Sequence, residues 1–331
     1  MQQRPLGTRT GRTVGAVGLG TWQLGADWGD VDEADALATL HAAVDAGVTL
    51  LDTADVYGDG RSEHLIGRLL RELSDRQRAA LIVATKAGRR GPQEPGEFTL
   101  ANLRAWTDRS RRELGVDRLD LLQLHCPPTP VYAMPAVYDA LDTLVSEGAL
   151  AAYGVSVETV AEGLAAIEHP GVATVQVILN AFRHKPTEEL LPACAAAGVG
   201  VLARVPLASG LLSGRYDEST TFAAEDHRSY NRGGEAFDVG ETFSGVDYAT
   251  GLAAVRRLRP LVPQGMSMPE LALRWVLAQP GVSAVIPGAR SPEQAVANAR
   301  AGDGQPLPAD VLPGVRAVYD DLLREQIHPR W

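Results

Sequence analysis

Short apolar runs and amphipathic stretches alternate eight times along this chain, and that alternation narrows the fold more than any other feature. The apolar runs are Val14 to Leu19, one closing at Asp52, one before Lys86, Leu119 to Leu124, Ala151 to Val155, Val172 to Val177, Val199 to Ala203 and Val282 to Ile286. Between them, Leu37, Leu40 and Val44 recur at helical spacing before Gly47, and Leu65, Leu69, Leu70 and Leu73 mark a second helix. Leu100, Leu103 and Leu114 with Gly115, then Val137, Leu141, Leu144 and Val145 with Gly148, mark two more, each ending at a glycine suited to a cap. Further helices are expected over 160–167, 188–197, 250–258, 268–277 and 292–301. Strands that alternate with helices at this density make a parallel sheet, and eight such units within 331 residues close into a barrel. The expected fold is an α/β (β/α)8 TIM barrel, one domain spanning residues 1–331.

Two stretches depart from the rhythm. Residues 211–248 are polar and Gly-rich without a sustained period, which suits a long loop over a binding site better than an inserted domain. A tail helix over 311–325 precedes Ile-His-Pro-Arg-Trp, and Trp331 is expected either at the barrel mouth or packed on the surface. The structural rival is a doubly wound sheet, which for a dinucleotide would need a Gly-x-Gly-x-x-Gly turn. Gly15-Ala-Val-Gly18-Leu-Gly20 has the reverse spacing, and there is no Walker sequence.

Composition removes several function classes. A net charge of −10 and a pI near 5.2 oppose nucleic-acid binding, although local helix N-termini and a few arginines can still hold one anionic cofactor. No apolar stretch approaches a membrane span and the N-terminal segment lacks a signal-peptide core, so a cytoplasmic protein without a membrane partner is expected. Cys126 and Cys194 have neither metal nor redox spacing; both read as small buried hydrophobes, Cys126 on the strand face opposite His125. No metal is expected. With no obvious exposed apolar stripe, a monomer is the expected state.

Four side chains carry the chemistry. Asp52, Lys86 and His125 follow the second, third and fourth strands, and Tyr57 lies in the loop just beyond Asp52. Functional groups of such barrels gather at the C-terminal ends of strands, so all four should converge on one mouth. Singly, each has an ordinary role: a capping aspartate, a core tyrosine, a solvated lysine, a satisfied histidine. Together they form an acid–base set. A nearby ammonium lowers the pKa of a phenol, a carboxylate holds that ammonium charged, and a histidine beside them can donate to a substrate oxygen. Nothing in the set is a nucleophile or a complete metal site, so a cofactor must supply the remaining chemistry.

The motifs Gly18-Leu-Gly-Thr-Trp22, Leu51-Asp-Thr-Ala-Asp-Val-Tyr-Gly58, Ala84-Thr-Lys86, Leu121-Leu-Gln-Leu-His125 and Ile286-Pro-Gly-Ala-Arg290 resemble the aldo-keto reductase family nearly from end to end. The resemblance implies carbonyl reduction by NADP(H) bound in extended form, with Asp52, Tyr57, Lys86 and His125 as a catalytic tetrad and Tyr57 as the proton donor. It places Ser156 and Gln176 on the nicotinamide carboxamide, and Pro206, Leu207, Ser209 and Gly210 across the pyrophosphate. Gly288, Arg290, Gln294 and Asn298 fall at the adenosine end. Val157 stands where the family usually has asparagine. Arg204 occupies the neighbourhood of the usual nicotinamide-stacking aromatic, where its planar guanidinium could stack instead. Gln294 stands where many relatives carry an arginine, and Arg290 is expected to grip the 2′-phosphate in its place. NADPH is the expected cofactor, with NADH as the alternative. Trp22, Trp28 and Tyr132, with Phe222, Tyr230 and Phe237 of the long loop, are expected to line a pocket for a small-molecule carbonyl substrate. Two rival functions remain: a slow redox-sensing or scaffold subunit like the potassium-channel beta subunits, and an aldolase using Lys86 as a Schiff base.

Overall fold

A computed structural model of the chain describes residues 1–25 and 31–331. Two short strands, β1 (Gln3–Pro5) and β2 (Thr13–Gly15), pair antiparallel as a hairpin. The main sheet follows as β3 (Leu19–Gly20), β4 (Leu50–Asp52), β5 (Ile82–Ala87), β6 (Leu121–His125), β7 (Tyr153–Ser156), β8 (Val172–Ile178), β9 (Gly200–Arg204) and β10 (Val282–Val285). Each strand pairs in parallel with its neighbour in chain order. The ends meet through Gly18 N donating to Val285 O at 2.9 Å, Gly20 N to Pro287 O at 3.0 Å and Val285 N to Ala16 O at 3.0 Å. That closure makes the (β/α)8 barrel, a single domain.

The interior is packed by Leu50, Ile82, Ala84, Leu121, Leu202, Ala284 and Ile286. Leu6 and Val14 from the hairpin join this cluster, so the hairpin plugs the N-terminal end of the barrel. The apolar run Val14 to Leu19 is therefore not one barrel strand as expected: its first half serves the plug, and only its end enters the barrel. Both halves are buried, which is why the run reads as continuous from the sequence. A larger apolar layer lies between the sheet and the surrounding helices.

The helices follow the expected pattern, including Val160–Ile167, Leu190–Ala197, Met268–Leu277 and Pro292–Arg300. Their starts are fixed by side chains: Thr159 and Glu162 form a reciprocal capping box, and Ser267 and Ser291 accept from amides one turn on. The tail forms two helices, Val311–Leu322 and Arg324–Ile327.

The 211–248 segment is a loop with a few short turns, yet it is packed. Asp226, His227, Asn231, Glu241, Thr242, Phe243 and Ser244 are buried in it. Asn231 Oδ1 accepts from the Ala236 and Phe237 amides at 2.8 and 3.0 Å, so a side chain replaces the hydrogen bonds that regular structure would give. Trp331 is buried against this loop: its indole N–H donates to Asp238 at 3.0 Å.

Candidate active site

Strand register sets the site. Asp52 pairs with Ala84, Lys86 with Gln123, His125 with Ser156, Ser156 with Gln176 and Ile178 with Arg204, which brings these residues to one end of adjacent strands. Tyr57 comes from the loop after β4. That loop is anchored by the Thr53 and Asp55 amides, which donate to Ala84 O at 2.8 Å and Lys86 O at 3.0 Å. Gly58, beside the tyrosine, has φ +58°, and a Cβ there would lie 2.1 Å from Gly25 O. Only glycine allows that close approach.

Lys86 is the hub. Its ammonium donates to Asp52 Oδ1 at 2.5 Å, to Thr53 O at 2.9 Å and to the Tyr57 hydroxyl at 3.3 Å. The other Asp52 oxygen accepts from Gln176 Nε2 at 2.7 Å and Gln123 Nε2 at 3.4 Å. The His125 ring meets Tyr57 edge-on at 5.8 Å, and Trp22 stacks on Tyr57 at 6.0 Å. The sequence-derived tetrad is thus brought together at one point.

Electrostatics assign protonation states. Burial opposes the Lys86 charge, but Asp52 and Tyr57 outweigh it, and the lysine pKa stands above its ordinary value. Burial also raises the Tyr57 pKa; Lys86 pulls it down and Asp52 pushes it up. The downward pull expected from Lys86 is present, but burial exceeds it, so the group is a protonated phenol with a cation waiting beside it. Burial, then Arg89, Lys86 and Arg204, drive the His125 pKa well below its ordinary value. The imidazole is therefore neutral.

These residues line a cavity of about 760 Å³. Ser156, Gln176, Arg204, Pro206, Leu207, Ser209, Gly210, Gly288, Arg290, Gln294 and Asn298 all line it too, as does Trp22. Several are already engaged. Gln176 spends its amide N–H on Asp52 and keeps its carbonyl oxygen. Ser209 donates to Glu241 O at 2.9 Å and accepts from Phe243 N at 3.0 Å, so its hydroxyl ties two loops together. Gln294 accepts from Arg290 N at 2.9 Å and Asn298 donates to Gly288 O at 3.1 Å, bracing the turn before the last barrel helix. Val205 holds φ +52°, strained for a β-branched residue, with its carbonyl fixed by Asn180 at 2.8 Å.

Four expectations change. Tyr132 is a core residue: it is 1% exposed, its hydroxyl donates to Ser156 O at 2.8 Å, and it does not reach the cavity. Phe237 lines the cavity, whereas Phe222 packs on Tyr216 and Phe243 behind it. Cys126 does not follow strand alternation, because its φ of +45° ends the strand at His125 and turns its sulfur toward Ser156 and Arg204. Burial and Glu158 push that thiol up to about 12, so it stays protonated. Arg204 does not lie free to stack: Glu158, Glu241 and Val157 O bind its guanidinium. Trp28 lies outside the described residues.

The structure adds Arg89, Arg215, Arg228 and Glu241 to the lining. Arg89 stands three residues past Lys86, near enough to a strand end to have been suspected. Glu241 sits in an aperiodic loop and left no signal. Cys126, Glu158 and Glu241 offer ligand atoms within 4.8 Å of one another, but Arg204 pairs with both carboxylates there.

A closed (β/α)8 barrel that gathers Asp52, Tyr57, Lys86 and His125 at the C-terminal strand ends defines an enzyme of the barrel type. The model of the Aldo/keto reductase family matches residues 16–320, and the chain belongs to that family. It is 28% identical to aldo-keto reductase YhdN of Bacillus subtilis, over 97% of this chain and 95% of that one. The glycerol dehydrogenase AKR11B4 of Gluconobacter oxydans superposes with a TM-score of 0.80 at 30% identity, covering 99% of this chain and 98% of that one. An aldo-keto reductase of Klebsiella pneumoniae in complex with NADPH gives a TM-score of 0.66 at 27% identity, covering 93% and 92%.

Proposed function

We propose that this protein reduces an aldehyde or ketone to an alcohol with NADPH, Tyr57 acting as general acid. The observation that carries the proposal is the Lys86 ammonium held between Asp52 and the Tyr57 hydroxyl inside the cavity. The cavity's donor set fits a nicotinamide dinucleotide. The Ser156 hydroxyl and the free Gln176 carbonyl offer a donor and an acceptor for an amide, and Pro206 to Gly210 bring backbone close to the cavity. Arg215 and Arg290 make no ion pair among the described residues, so both guanidinium groups are available to phosphate. The Klebsiella relative's complex with NADPH supports the same cofactor.

The bound dinucleotide would supply hydride to the carbonyl carbon. The chain's residues manage the oxygen. His125, neutral, donates a hydrogen bond that orients it. Tyr57 hands over its proton as negative charge grows there. Lys86 then faces the phenolate, and that contact strengthens as the charge forms, which is where an interaction accelerates a reaction. Asp52 keeps the lysine charged. Trp22 and Phe237 wall the substrate side with aromatic surface, suited to a substrate with an apolar part.

NADPH fluorescence titration followed by a turnover screen over aliphatic, aromatic and sugar-like carbonyls tests the proposal. Tight binding with turnover that Tyr57→Phe lowers by orders of magnitude is the expected result. Absence of NADPH binding would end it, and tight binding without turnover would favour a redox-sensing subunit.

A further inference from the structure

One closed circuit of contacts runs from the tail to the wall of the site. The Trp331 ring lies 4.2 Å from the Arg183 guanidinium, and its N–H donates to Asp238 Oδ1 at 3.0 Å. Asp238 also accepts from Gly240 N at 2.7 Å, which folds the tight turn that carries Glu241. Glu241 meets Arg204 at 2.5 Å, Arg204 meets Glu158 at 2.9 Å, and the Glu158 carbonyl accepts from Arg183. Gly245, on the same loop, leaves no room even for a Cβ against Trp331, at 2.3 Å. Trp331 therefore locks the Asp238–Glu241 turn in one place.

What the circuit fixes is charge. Arg204 and Glu241 both line the cavity, Arg204 two strands along the barrel wall from Ser156 and in register with Ile178, two residues beyond Gln176 on β8. Arg89, also in the lining, pairs with Glu158 at 3.1 Å. Three guanidinium groups, those of Arg89, Arg204 and Arg183, are thus balanced by three carboxylates, those of Glu158, Glu241 and Asp238, close to the tetrad. An oxidised nicotinamide ring carries a positive charge and a reduced one does not, so the balance acts on one form of the cofactor only.

We infer that Glu241, held on Arg204 by the Trp331 clamp, sets how tightly the oxidised cofactor binds relative to the reduced one. The inference rests on the nicotinamide reading above. Removing the Glu241 charge leaves an uncompensated cation in a largely buried wall and penalises the oxidised ring alone. A unit charge about 10 Å from the ring, in an effective dielectric of about 20, would be worth about tenfold in a binding ratio.

The test is the ratio of NADP⁺ to NADPH dissociation constants for the full chain, read by calorimetry and fluorescence at one pH and ionic strength. Glu241→Gln should raise that ratio about tenfold, chiefly by weakening NADP⁺. Glu241→Asp, which retains the charge, should stay near wild type. Trp331→Ala, which leaves every charge in the circuit in place, should move the ratio the same way and add little to Glu241→Gln, because the two act through one contact. A ratio unchanged in both Glu241→Gln and Trp331→Ala, or equal weakening of both cofactor forms, overturns the inference and leaves the reductase reading standing. Wild-type protein that binds neither form overturns both.

Discussion

The Lys86 ammonium lies 2.5 Å from Asp52 Oδ1, and both side chains are almost shut off from solvent. Two charges buried in this way are costly to separate, since the survivor is left without a partner in a poor dielectric. The pair therefore stores both stability and function.

Asp52→Asn should expose that dependence. The lysine loses its counter-charge, and a loss of about 3–5 kcal/mol is expected on removing one partner of a buried pair. The urea midpoint should fall and carbonyl reduction should fall with it. Unchanged stability would mean that Gln123 and Gln176 compensate by rearranging around Lys86.

Tyr57→Phe keeps the ring that stacks on Trp22 and removes the proton. Loss of a general acid costs about 10²–10⁴-fold, so turnover should drop by that order while NADPH affinity stays near wild type. Steady-state kinetics beside a binding titration separate the two effects. Comparable turnover would remove Tyr57 from the acid role.

Arg290→Ala should weaken NADPH far more than NADH, because a guanidinium at the start of the last barrel helix meets only the extra phosphate. Arg215→Ala, at a second lining arginine without an ion pair among the described residues, provides the comparison. Equal losses for the two cofactors from Arg290→Ala would take it out of the 2′-phosphate role.

Asp55 predicts a pH effect on stability. Its carboxyl is buried beside Glu63, within reach of Arg90 and Arg109, and burial first, then Glu63, raise its pKa to about 7. Between about pH 4 and pH 7 the folded chain holds a proton there that the unfolded chain has released, so this contribution is lost as pH rises through that window. A shift of this size corresponds to about 4 kcal/mol. Asp55→Asn should gain on wild type in urea unfolding as pH rises from 5 to about 8. Parallel curves would show that the Arg90 and Arg109 charges already neutralise the site.

Much was legible before the fold was known. Strand ends marked by Asp52, Lys86 and His125 needed only local pattern, because the barrel places every strand end at one mouth whatever the details of packing. Val160–Ile167 and Met268–Leu277 match because capping residues announce helix starts locally. Tyr132 misled because a tyrosine after a strand end looks the same whether it faces the cavity or the core.

The sequence alone determined the barrel and the strand-end positions of Asp52, Lys86 and His125, since each follows from the pattern of a short stretch of chain. Tertiary structure decided the rest: the split of Val14 to Leu19 between plug and barrel, the capture of Arg204 by Glu158 and Glu241, and the seating of Trp331 on Arg183. Those contacts join segments tens to hundreds of residues apart. No local pattern encodes them, because their energy arises only when the closed barrel brings the partners out of water together.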